Sequence, residues 1–134
     1  MPSIGAKIPV PLLEALQRAE IADAGILLRH RADQGAITGA ACTGTFVLAN
    51  AGLPDGEAAT TSWWLGPTFR ECFPKVKLDE SRMPVTSARR ITAGAALAHL
   101  DMALSLVRSV SLELAARSRH AIWSWILALR KRRM

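Results

Sequence analysis

The chain has 134 residues, half of them hydrophobic, with nine glycines and seven prolines. That is enough for one domain burying roughly two-thirds of its unfolded surface, and it excludes disordered, collagen-like and low-complexity classes. The formal charge of +6 is a property of the C-terminal end: residues 1–107 hold ten Lys or Arg against ten Asp or Glu, while residues 108–134 hold Arg108, Arg117, Arg119, Arg130, Lys131, Arg132 and Arg133 against Glu113 alone. A basic face covering the whole domain is excluded, and the tail reads as a solvated end rather than a nucleic-acid arm.

Pro2, Pro9 and Pro11 predict a loop up to residue 11. From Leu12 the residues Leu12, Leu13, Leu16 and Ala19 recur at helical spacing, and Ile21 to Arg31 continues as a second helix. Gly35 closes it. Ala36 to Ala41 is then a short apolar run between two helical patterns, the signature of a buried parallel strand.

A helix from Thr43 to Ala51 follows, capped by Gly52, and Asp55-Gly56 marks a turn. The segment EAATT fits a short strand. Ser62 is expected to cap a helix carrying Trp63, Trp64, Leu65 and Phe69 that Pro74 ends. Short β pieces are expected at Val76 to Leu78, Met83 to Thr86 and Arg90 to Ala93. Gly94 then opens a long helix with Leu97, Leu100, Met102, Leu104 and Val107 as apolar positions. Strands alternating with helices predict an α/β fold with a mainly parallel sheet.

Leu112 to Leu129 reads as one further helix, with Ile122, Trp125, Ile126 and Leu129 on one face. Its apolar stretch AIWSWILAL falls far short of the roughly 20 residues that span a bilayer. The start, MPSIGAKIPVP, lacks the basic end and apolar centre of a signal peptide. A cytoplasmic protein with no membrane partner is expected. Cys42 and Cys72 stand in unlike contexts, and no Cys or His cluster has ligand spacing, so neither a disulfide framework, a metal site nor a cofactor is expected.

Cys42 is the residue with chemistry in its position. It lies on a strand-to-helix turn, where the helix dipole and the unpaired amides of the first turn favour negative charge. The amides of Thr43 and Gly44 can serve as an oxyanion site by the logic of the G-x-S-x-G elbow, with Ala40 in place of the first glycine. A nucleophilic role also needs a base. His30 sits on an exposed helix and His120 in the tail, which leaves His99 as the one candidate partner, and Asp101 two residues on does not share its helix face. The plain alternative for Cys42 is a buried small hydrophobe.

The segments ACTGTFVLANAGLPDGEAATTSWWLGPTFRECFP and LDESRMPVTSARRITAGAALAHLDMALSLVR resemble the ThiJ/PfpI class of glutamine amidotransferase-like domains. Within that class they resemble the N-terminal sensory domain of AraC-type transcriptional regulators. The resemblance covers residues 4–116 and leaves 117–134 as a basic amphipathic tail. It implies a flavodoxin-like three-layer sandwich, incomplete on its N-terminal side, with Cys42 at the pocket mouth at the carboxyl end of the sheet.

The resemblance also implies that the match begins late, after the family's opening strands and the acidic residue that contacts the cysteine in many enzymes. No helix-turn-helix pair fits in residues 108–134. Where many enzymatic relatives have a histidine after the two threonines, this chain has Ser62, and a serine hydroxyl cannot act as a general base as imidazole does.

The expected function is therefore effector binding, with Cys42, Thr43, Gly44, Ser62 and Trp63 around a small metabolite and no direct contact with nucleic acid. The alternative is a cysteine-dependent hydrolase or glyoxalase-like enzyme. An unpaired sheet edge would invite homodimerisation.

Overall fold

A computed structural model of the chain describes residues 8–94, 98–112 and 114. The elements in order are α1 (Pro9–Leu16), α2 (Ala19–Asp33), β1 (Thr38–Ala41), α3 (Gly44–Asn50), β2 (Ala58–Ala59), a 3-10 turn (Trp63–Leu65), α4 (Gly66–Cys72), β3 (Lys77–Leu78), β4 (Val85–Ser87), β5 (Arg90–Ala93) and α5 (Ala98–Val110). The chain divides into two compact units, Met1–Met102 and Ala103–Met134. Leu97, His120 and nearly all of the helix expected over Leu112 to Leu129, with the basic tail, lie outside the described residues.

Residues 9–11 of the expected loop are instead the start of α1, and residues 1–7 lie outside the described residues. Pro9 and Pro11 fall in its first turn, where backbone amides have no intrahelical acceptor and proline's fixed φ suits the helix. Leu12, Ala15 and Leu16 form its buried face. Helices α2 and α3 end in the same way. Gly35 (φ +85°) and Gly52 (φ +71°) take the left-handed conformation. Each donates to the carbonyl three residues back, Ala32 and Ala49, while Ala36 and Leu53 donate five residues back to Arg31 and Leu48. This paired pattern needs a residue free of Cβ strain.

Three strands form a sheet in the order β1-β5-β4, and β2 and β3 pair separately. The β1–β5 pair is parallel, with Thr38 opposite Arg90 and Ala41 opposite Ala93; β2–β3 is parallel as well, and β4–β5 is antiparallel. The small residues of β1, TGAA, let helices approach both faces. Ala40 packs with Leu48, Ala51, Leu53 and Leu28 on one side, and Ala41 with Ala93, Ala98 and Met102 on the other. This is the three-layer α/β arrangement with a mainly parallel sheet that the sequence predicts, and the sheet is incomplete.

The largest core cluster joins Leu12 and Leu16 of α1 to Phe46 and Val47 of α3, Leu65 and Phe69. It anchors the helix that follows Cys42.

Beyond β3, Asp79 closes a tight turn by accepting from the Ser81 hydroxyl at 2.6 Å, the Ser81 amide at 3.0 Å and the Arg82 Nε at 2.7 Å. The Ser81 hydroxyl, then the Arg82 guanidinium and the Ser81 amide, hold the Asp79 carboxyl down from 3.8 to about 2. A depressed carboxylate contributes fully above its unfolded value and loses that contribution as pH falls through its folded one. The turn is therefore expected to loosen between pH 3.8 and about 2. NMR titration of the Asp79 carboxyl checks this, and Ser81→Ala should bring its midpoint back up.

Candidate functional site

Cys42 directly follows β1 and has φ +55°. A non-glycine residue in this region carries about 1–3 kcal/mol of strain and persists where its surroundings over-determine it. The surroundings here do so. The Cys42 amide donates to the carbonyls of Ala93 (2.9 Å) and Gly94 (3.2 Å) at the end of β5, and its carbonyl accepts from the Thr45 amide at 3.2 Å in the first turn of α3. The side chain is partly exposed and makes no disulfide. A strained, partly open position is not that of an ordinary buried small hydrophobe.

The second half of the cradle is the run Thr60-Thr61-Ser62 after β2, in which all three residues are fully buried. The Thr60 carbonyl accepts from the Thr45 hydroxyl at 2.9 Å, and the Thr60 amide donates to the Thr92 hydroxyl at 2.8 Å. The Thr61 hydroxyl donates to the Cys42 carbonyl at 2.8 Å. The Ser62 hydroxyl donates to Cys42 Sγ at 2.9 Å. Three consecutive residues thus bolt α3, the elbow backbone and the elbow sulfur to the end of the sheet.

Ser62 differs from its expected role. It precedes the 3-10 turn but makes no side-chain cap bond there, because its hydroxyl is committed to the sulfur. Thr43 and Gly44 are buried at the start of α3. Trp63 and Trp64, next in the chain, are 67% and 40% exposed, with their rings edge to face at 5.7 Å. Two large aromatic rings, the first largely and the second partly exposed, lie one and two residues from the serine that touches the sulfur. The sequence signal for this arrangement is the TTSWW run itself: polar residues buried behind the elbow, then aromatics that the core does not take up.

His99 and Asp101 are both exposed in the first turn of α5. His30 lies on the outer face of α2 within 3.2 Å of the Gln34 amide. Cys72 ends α4 as an exposed free thiol. Among the described residues no three His, Cys, Asp or Glu side chains gather as a metal set, and no helix is long and apolar enough to cross a membrane. The bond seen at the Cys42 sulfur comes from a hydroxyl, and a hydroxyl donor orients sulfur without accepting its proton near neutral pH.

No family model matches the chain. It is 34% identical over 92 residues to the HTH-type transcriptional regulator GbdR of Pseudomonas aeruginosa, an alignment covering 69% of this chain and 25% of GbdR. The chain thus spans about a quarter of the length of the curated relatives it matches. An AraC family transcriptional regulator from Pseudomonas putida superposes with a TM-score of 0.65 at 20% identity, over 81% of this chain and 56% of that one. A ThiJ/PfpI family protein from Pseudomonas syringae superposes with a TM-score of 0.61 at 26% identity, over 85% and 45%.

Proposed function

The chain carries a partial ThiJ/PfpI-like domain of the type found in AraC-type regulators, and from this premise we propose that it is an effector-binding domain that holds a small metabolite beside Cys42. The observation that carries the reading is the Ser62 hydroxyl on the Cys42 sulfur at 2.9 Å. A buried hydroxyl in that place fixes the sulfur as a contact surface, whereas turnover by a cysteine nucleophile calls for a group that moves its proton. Trp63, exposed next to that contact, supplies an aromatic wall, and the amides of Thr43 and Gly44 supply donors for a polar group. The proposal gives this stretch of chain no DNA-reading role and places it in the cytoplasm.

The second reading, a cysteine-dependent hydrolase or glyoxalase-like enzyme, draws its support from the left-handed backbone of Cys42, a feature shared with nucleophile elbows. A thermal-shift screen against a panel of small metabolites, with the same samples assayed for consumption of methylglyoxal and of ester substrates, separates the two. The expected result is a hit that raises the melting temperature of the parent, has little effect on Trp63→Ala, and is not consumed. Consumption abolished by Cys42→Ala would establish the enzyme instead. Hits equally effective on Trp63→Ala and Cys42→Ala would remove the site.

A further inference from the structure

We infer that the amino end of the three-stranded sheet holds a second, separate binding site, for a small anion with a carboxylate or phosphate group. A cleft of about 180 Å³ opens there between the C-terminal end of α2, the start of β1 and the turn into β5, lined by Ala32, Ala36, Thr38, Ala88, Arg89 and Arg90. Three alanines keep its walls short. The remaining three residues are all hydrogen-bond donors.

Thr38 and Arg90 are opposite each other in the parallel register, so their side chains leave the same face of the sheet as neighbours. Thr38 is only 5% exposed, yet among the described residues its hydroxyl has no hydrogen-bond partner, and neither does the buried Nε of Arg90. Buried donors are normally paired, and an unpaired one keeps its desolvation cost without return. Arg90 Nε belongs to the guanidinium that Glu57 already holds, and the Glu57 carboxylate has its own buried unpaired Oε2, so the Thr38 hydroxyl is the donor in this cleft that lacks an acceptor.

Charge selects what kind of acceptor. Arg90 is held through Nη1 by Glu57, and Arg89 donates through Nη1 to the Gly35 carbonyl. The Glu57 pairing offsets one guanidinium, among the described residues no ion pair offsets that of Arg89, and guanidinium groups match carboxylate and phosphate oxygens in geometry. Glu57 Oε2 is also buried and unpaired, but Glu57 does not line the cleft. Thr38 and Cys42 lie at opposite ends of β1, about 13 Å apart at the usual strand rise, so this site does not overlap the proposed effector site.

The test is an amide NMR titration of the whole chain with sodium acetate and, separately, with sodium phosphate, each at constant ionic strength. Saturable shifts at Thr38, Arg89 and Arg90 are expected. They should weaken about fivefold in Thr38→Val, which keeps the side-chain shape and removes one hydroxyl, and should weaken also in Arg89→Gln. Saturation by phosphate alone or by acetate alone supports the site and assigns its group. Absence of saturation in the millimolar range for both, or unchanged affinity in both variants, overturns it.

Discussion

Replacing Phe46 by alanine is expected to remove about 3–5 kcal/mol of stability, the range for emptying a large aromatic site in a packed core. Phe46 has no exposed surface, and its ring meets Phe69 edge-on at 5.0 Å and Phe73 at 5.9 Å. Truncation loses both ring pairs and opens a void in the cluster that also holds Leu12 and Leu16. The neighbours that would have to move inward belong to α1, α4 and the 3-10 turn, and their own packing depends on this ring, so the cavity has little means of collapse.

Domains of this size are stable by about 5–15 kcal/mol in total. The variant should therefore unfold at much lower urea, as followed by circular dichroism. A loss below about 1 kcal/mol would show that the aromatic cluster refills the space. Trp63→Ala is the matched contrast: a larger ring, but 67% exposed, so its removal should change stability by no more than about 0.5 kcal/mol. Among the described residues the aromatics thus fall into two groups, three phenylalanines that hold α3 in place and two tryptophans, Trp63 and Trp64, that keep much of their surface exposed.

That division is hard to see in sequence, because TSWW and PTF both read as apolar positions on one helix. Periodicity reports that a face is apolar and does not report whether anything covers it. The elbow is easier to read. A small-residue strand, a cysteine, a glycine and a helical pattern leave few backbone paths, and β5 falls at Arg90 to Ala93 as expected because RITA alternates between turn signals.

The two glycine helix ends are legible for the same local reason: a left-handed residue after a helical pattern is a short-range choice. The first turn of α1 is misread because Pro9 and Pro11 look like breakers until the helix start is known. The Ser62 contact to sulfur and the Thr38 cleft join residues 20 and more than 50 positions apart, and no local pattern encodes such pairings. The resemblance to a known class supplies the three-layer arrangement and the place of Cys42 at the end of the sheet, which local patterns leave open, but it does not say that Ser62 turns its hydroxyl to the sulfur.

The tertiary bolts behind the elbow can be weighed with two threonines that look alike. Thr92 and Thr60 are both buried, at 2% and 0% exposure, and valine has nearly the shape of either. The Thr92 hydroxyl accepts from the Thr60 amide at 2.8 Å, so Thr92→Val strands a buried backbone donor and should cost about 1–3 kcal/mol. The Thr60 hydroxyl has no partner among the described residues, so Thr60→Val removes an unsatisfied group and should be neutral or stabilising. Urea unfolding of the two variants gives the comparison. Equal effects would mean that the threonine run acts through packing alone.

A selective loss in Thr92→Val has a consequence at the site. The Thr60 amide ties the Thr60–Ser62 run to β5, and β5 in turn accepts the Cys42 amide through Ala93. Freed at that point, the run should let the Ser62 hydroxyl drift from the sulfur, and metabolite hits that depend on Cys42 should weaken in Thr92→Val even under conditions where the variant is fully folded.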